Sequence, residues 1–149
     1  MLDNDLSPDI AQALRFFSFD IVHTSEVPEF QNRSEGVLDP EIITWCKDNK
    51  RAWITHDFKA RRKHAEALKT ARINVVWIRG KTEPKETTGE SATWRFFKII
   101  VRTIDEIQRR FSCSHGAIHF RINQKCGSCP IYEWADSSYD KPKVYKGHE

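Results

Sequence analysis

The 149-residue chain contains no apolar run near the roughly 18 residues that a membrane-crossing helix needs, so no membrane association is expected. Its opening, MLDNDLSPD, has neither a basic start nor an apolar stretch, so it does not read as a leader peptide, and the expected location is the cytoplasm. Cysteine is scarce. There are four, with Cys46 isolated inside a helical pattern, which excludes the dense disulfide framework of a small secreted domain. Internal repeats and low-complexity blocks are missing too. Apolar residues make up only 39% of the chain and the mean hydropathy is −0.63, yet the length suffices for one domain with a real core and a tail to spare.

What the chain has is charge, unevenly placed. The net charge of +3 hides two basic against nine acidic residues over 1–46 (−7), eleven against three over 47–81 (+8), and eleven against nine in the remainder (+2). An acidic centre beside a basic surface suits an enzyme acting on a polyanion. The plainer alternative is a solvated helix face followed by scattered lysines.

Pro8 can open a helix with Ile10, Ala13, Leu14 and Phe17 on its apolar stripe, and residues 20–23 then read as a short strand. Residues 24–38, with Pro28, Asn32, Ser34 and Gly36, form a loop of a length that often carries function. Asp39 reads as an N-cap and Pro40 as the first residue of a helix through Ile42, Ile43, Trp45 and Cys46. Residues 52–55 read as a buried strand. A basic helix over 59–70 would turn Ala60, Ala67, Leu68 and the following Ala71 inward, and 75–78 is a continuous apolar strand closed by Gly80. A polar link over 81–90 leads to a long amphipathic helix from Ser91 to about Phe111, marked by Trp94, Phe97, Ile100, Val101, Ile104, Ile107 and Phe111. The last strand covers 117–122, with His119 on its outward side. This alternation predicts an α/β fold, a mostly parallel central sheet flanked by helices, over residues 1–122, then a polar tail over 123–149 that is ordered only in part.

Three acids stand where a strand or loop hands over to a helix: Asp3 in LDNDLSP, Asp39 in LDPEII and Asp57 in AWITHDF. In a parallel α/β fold such handovers gather at one end of the sheet. Carboxylates brought together without basic partners favour a hard, oxygen-preferring cation such as Mg²⁺ or Mn²⁺. Each could instead simply cap the helix that follows it.

The ordered set LDNDLSP with ALRFF, DIVH, DPEII, WITHD, a basic stretch ending HAEALK, INVVWIRGK and GAIHFRIN runs from residue 2 to about 122. It resembles the PIN-like ribonuclease superfamily, and within it the VapC-type toxin relatives whose sequences open DNDxSP. The resemblance implies a three-layer PIN-like fold and a metal-dependent endoribonuclease. Asp3, Asp39 and Asp57 would be its catalytic residues, holding one or two Mg²⁺ or Mn²⁺ ions that activate water against an RNA phosphodiester and stabilise the leaving oxygen. Asp5 and Glu41, each within two residues of a core acid, would add ligands or position water, and Thr55 could orient Asp57. An RNA substrate, a cognate antitoxin protein and assembly as a homodimer are further implications. Two features depart from the family pattern. Only Met1 and Leu2 precede Asp3 where a longer apolar strand is usual, and Phe58 follows Asp57 where many relatives complete a four-carboxylate site.

Lys59, Arg61, Arg62 and Lys63 follow directly on Asp57 and are candidate RNA-phosphate contacts; solvated helix surface is the alternative. His56 and His64 could touch substrate or water. Cys126 and Cys129, with Cys113, His115 and His119 upstream, contain enough ligands for one Zn²⁺, but the irregular spacing and single CxxC favour free thiols over zinc at Cys113/Cys126/Cys129. Two other functions compete with the nuclease: a PIN-like RNA- or protein-binding module with a weakened site, supported by the short first strand, and a small metal hydrolase such as a phosphatase. The charge division favours a nucleic acid over a small substrate.

Overall fold

The computed structural model describes residues 1–31, 36–79, 90–114, 116–123, 131–134 and 143–144. Helix α1 (Pro8–Phe16) begins where Ser7 accepts from the Asp9 amide at 3.3 Å and Pro8 occupies the first helical position, where a missing N–H does no harm. Two short 3₁₀ turns, Thr24–Glu26 and Pro28–Phe30, lead to α2 (Asp39–Asp48). Then follow β1 (Trp53–Thr55), α3 (Phe58–Lys63), α4 (Ala65–Ala71), β2 (Val75–Arg79), α5 (Ala92–Cys113) and β3 (His119–Asn123). β4 (Ile131–Trp134) and β5 (Lys143–Val144) complete a five-stranded sheet ordered β1-β2-β3-β4-β5, parallel across the first three strands and antiparallel beyond. The chain has an α/β fold whose central sheet is parallel over β1–β3.

Alternation along the strands sorts the core into two layers. Val76, Ile78, Phe120 and Ile122 face α1 and α5, packing with Leu14, Phe96, Ile99 and Ile100. Trp53, Val75 and Trp77 face the other way, against Ile42, Ile43 and Cys46 of α2, Ala60 of α3 and Leu68 of α4. Helices thus cover both faces, as parallel strands require. No described helix is long and apolar enough to cross a membrane.

Several expectations change. Residues 20–23 make no named strand, only a single parallel bridge from His23 to Leu2. Phe17 is 63% exposed because α1 stops at Phe16 and the chain turns through Ser18 at φ 65°. Asp39 is the first helical residue of α2 and Leu38 the N-cap, with Glu41 accepting from the Leu38 amide at 3.1 Å. The basic helix is two helices broken at His64. His119 is buried, its ring 5.1 Å from that of Trp77, because β3 is an interior strand with both faces covered. β4 and β5 extend the sheet from within residues 123–149, where apolar periodicity gave no strand signal. Cys126, Cys129 and His115 lie outside the described residues, as do Gly80 and the link to Gly89; Cys113 is an exposed free thiol.

Trp94 and Val101, expected on the buried stripe of α5, are instead half exposed, and Arg95 takes an inner position. It is 3% exposed, and among the described residues none of its guanidinium nitrogens has a hydrogen-bond partner. A guanidinium keeps its charge, so burial without a counter-charge costs stability. Arg95→Met is expected to raise the thermal unfolding midpoint by several degrees, roughly 1 kcal/mol or more. A lowered midpoint would mean that Arg95 is neutralised by an anion.

Candidate active site

Residues 1–3 run between two parallel neighbours. Leu2 N–H donates to the Val22 carbonyl (2.8 Å) and the Leu2 carbonyl accepts from Thr24 N–H (3.0 Å). On the other side Ile54 N–H donates to the Met1 carbonyl (2.8 Å) and Asp3 N–H to the Ile54 carbonyl (3.0 Å). Asp3 is therefore fixed at the carboxyl end of a central segment and is buried, 5% exposed. Brevity of the first strand does not leave it loose.

Thr55, the last residue of β1, is fully buried and joins three of the acids. Its hydroxyl donates to Asp5 Oδ2 (3.3 Å), lies within reach of the Asp3 carboxylate, and accepts from the Asp57 amide (3.0 Å). The expected link from Thr55 to Asp57 thus runs through the backbone. Asp5 Oδ2 also accepts from the His56 amide (2.8 Å). His56 is held in turn by its Nδ1, which donates to the Ile78 carbonyl (2.8 Å), and by ring contact with Phe96 at 4.7 Å. Asn4, whose amide donates to Asp3 Oδ1 (2.7 Å), accepts from the Thr24 hydroxyl and ties the segment to the 3₁₀ turn.

Burial pushes the Asp3 carboxyl up. Hydrogen bonds from Thr55 and the Asn4 amide oppose the shift, the Asp39 charge adds to it, and the nearby Trp53 indole, which has no partner at normal hydrogen-bond distance, opposes it weakly. Asp5 is raised to about 6, first by desolvation and then by the Asp3 charge, against the His56 and Thr55 contacts. Solvent reaches part of Asp5 and tempers its shift without changing the direction. Among the described residues neither carboxylate has an ion-pair partner. Asp3 and Asp5 crowd each other near a third carboxylate, Asp39, and the hydrogen bonds to them do not offset that negative charge.

The structure therefore brings Asp3, Asp5 and Asp39 into electrostatic contact. Asp39 stands at the start of α2, with His64 Nε2 3.1 Å from its Oδ2, an ion-pair distance when the imidazole is protonated. Nothing in the spacing of these two residues announces that contact. Asp57 is joined to the group through Thr55, but its carboxylate caps α3 by accepting from Lys59 N–H (2.8 Å). Glu41 is engaged at the start of α2. Among the described residues no three His, Cys, Asp or Glu side chains stand close enough together to hold a metal ion as they are placed.

Of the basic run, Lys59, Arg62 and Lys63 are exposed next to Asp57. Arg61 is not. It is 4% exposed, with its guanidinium 5.8 Å from the Trp77 ring centroid, so the phosphate contact expected of it is replaced by packing inside the helical layer. Cys46 is buried and its thiol is pushed up to about 11, mainly by burial, which makes it an inert core residue.

The sequence profile described as "PIN like domain" matches residues 1–80, more than half of the chain, and spans Asp3, Asp5, Asp39 and Asp57. The chain belongs to the PIN-like family. No curated protein sequence and no solved structure gives a significant match. Membership carries a nuclease-type fold, and in this PIN-like chain β3 and its antiparallel partners are added beyond the matched region.

Raised carboxyls have a consequence for stability. The folded PIN-like protein binds the protons of Asp3 and Asp5 more tightly than the unfolded chain does. The resulting stability is complete below the ordinary aspartate value of 3.8 and is lost as pH rises through about 6. Asp5→Asn keeps an acceptor for the His56 amide but cannot titrate. In metal-free buffer, wild type should lose stability relative to Asp5→Asn between about pH 4 and pH 7. Mg²⁺ or Mn²⁺ should shrink that loss. Parallel pH curves in denaturant unfolding would refute the shift.

Proposed function

We propose that this PIN-like protein is a metal-dependent endoribonuclease of the VapC toxin type, hydrolysing RNA phosphodiesters and held in check by an antitoxin protein. The observation that carries the reading is Asp3, a buried carboxylate raised by burial and by a neighbouring carboxylate, with no basic partner among the described residues. Asp3 and Asp39 would hold Mg²⁺ or Mn²⁺, with Asp5 and Asp57 as further ligands and Glu41 at greater remove. When bound, the ion supplies a Lewis acid that makes water a nucleophile near neutral pH and stabilises the leaving oxygen.

The chain's own groups do the rest. Thr55 and the His56 amide fix Asp5, the paired backbone of residues 1–3 fixes Asp3, and His64 steers Asp39. Asp57 caps α3 through Oδ1 alone, which leaves Oδ2 to act as a ligand. Lys59, Arg62 and Lys63, exposed beside Asp57, supply positive charge for the flanking phosphates. A negatively charged strand would be drawn to this rim and held with its phosphodiester over the carboxylates.

The binding-module alternative has two observations in its favour: Asp57 Oδ1 is engaged as a helix cap, and Phe58 stands where a further acid would complete the site. Asp3→Asn separates the two readings. It should retain the fold by circular dichroism and retain RNA binding without divalent ion. It should lower Mn²⁺-dependent cleavage by about a hundredfold or more, since losing even a ligand's supporting partner costs about 10–100-fold. RNA bound by wild type without any turnover in Mg²⁺ or Mn²⁺ would select the binding module.

A further inference from the structure

α2 and α4 pack side by side on the same face of the sheet, and both start at the carboxylate edge, where His64, preceding α4, meets Asp39 of α2. With ten residues, α2 runs about 15 Å to the opposite, amino edge. Between the ends of the two helices lies a cavity of about 280 Å³ lined by Lys47, Lys50, Arg51, Arg72 and Asn74, with no carboxylate in its lining. Arg51 is tied to Asp20 at 2.8 Å, whereas Lys47, Lys50 and Arg72 have no ion-pair partner among the described residues. Asn74 Oδ1 accepts from the Ile118 amide at 2.9 Å, which leaves its Nδ2 protons as donors.

Cations at helix C-termini are ordinary, because the exposed carbonyls there are partly negative. Each end amounts to roughly half a charge, so two helix ends balance about one of the three unpaired cations, and Asp48, the last residue of α2 but outside the lining, offsets at most one more, which leaves an excess of about +1 to +2. Backbone conformation adds a second observation. Lys50 and Arg72 both have φ of 53°, in the left-handed region where glycine or asparagine usually ends a helix, and each non-glycine residue there costs about 1 kcal/mol. Two of the three described non-glycine residues with positive φ thus border this one cavity and carry cationic side chains at strained positions.

We infer that this cavity is an anion site for backbone phosphate of the RNA strand, about 15 Å from the carboxylates along α2 and distinct from the rim formed by Lys59, Arg62 and Lys63. The inference rests on the nuclease reading for the identity of the polyanion. A strand anchored at both ends of the α2–α4 layer is gripped over several nucleotides, so affinity depends on its length.

The test is the double variant K50G/R72G, which removes two cations and replaces both strained residues by the one that tolerates their φ. Its thermal midpoint should equal or exceed that of wild type. Binding of a labelled single-stranded RNA, followed by anisotropy without divalent ion at several salt concentrations, should weaken about tenfold, and the salt slope should fall by about 1.4 for two lost contacts on a single strand. Affinity for a dinucleotide should be unchanged, and with Mn²⁺ the long substrate should show a raised KM at unaltered kcat. Wild-type affinity and slope in the double variant would overturn the site, the cations then only balancing helix ends, while cleavage by wild type would leave the nuclease reading intact. Loss of binding in a protein that never cleaves RNA would keep the site and sink the nuclease reading. If pyrophosphate raises the wild-type midpoint while long RNA binds no better than a mononucleotide, the cavity takes a free phosphate compound and the strand proposal fails.

Discussion

Four backbone hydrogen bonds hold residues 1–3 between the chain at 22–24 and β1, and the rest of the site depends on them. They satisfy the peptide groups of a segment too short to hold itself by side-chain packing, although Met1 and Leu2 are both buried. With peptide groups paired on both sides, Asp3 has no freedom to swing toward solvent, and its carboxylate must remain inside. A one-residue slip in this pairing would exchange Leu2 for Asp3 on the apolar face. Burial of Leu2 against α1 and α5 therefore fixes the register that points Asp3 into the site.

The electrostatic cost of this arrangement is concentrated around one hydroxyl. Thr55 has a single proton to offer, yet Asp5 and Asp3 both lie within its reach while the Asp57 amide occupies one of its lone pairs. At least one carboxylate must then rely on another source of compensation. Backbone amides of Asn4 and His56 supply part of it, and the upward shifts of Asp3 and Asp5 show that they do not supply enough. Basic side chains close by are turned elsewhere: Arg61 packs on Trp77, and Lys59 and Arg62 reach solvent. Such uncompensated charge lowers the stability of the fold and is more often found at functional sites than in a core.

Elements carrying strong local signals were legible in the sequence. The Ser-Pro start of α1, the apolar run of β2 and the amphipathic stripe of α5 all stand close to where periodicity puts them. The handover acids were legible as well, because a parallel sheet leaves few places where strand ends can go. What failed depends on tertiary context. Residues 20–23 meet a partner of only three residues, too short to define a ladder, so the apolar pattern produced a bridge and no strand. Arg61 and Arg95 are charged residues whose long stems fill inner positions, which a pattern based on residue type assigns to the surface. Trp94 and Val101 show the converse error on the same helix. β4 and β5 are held by pairing to β3, and a strand whose partners lie at the end of a covered sheet needs little alternation of its own.

The division of charge along the chain also acquires a spatial meaning. The acidic block ends as α2 begins, so Asp39 and Glu41 fall in its first turn, and the basic block begins as it ends, with Lys47 in its last. That order suits the helix dipole at the N-terminus, and Lys47 suits it at the C-terminus against the opposing charge of Asp48, the last residue of the helix. Because α2 runs from the carboxyl edge of the sheet to the amino edge, the same order also separates the two signs of charge by the length of the helix. Asp39 is thereby kept the length of a helix away from Lys47, Lys50 and Arg72. A local preference worth a few tenths of a kcal/mol per residue thus places charge of opposite sign at the two edges of the sheet.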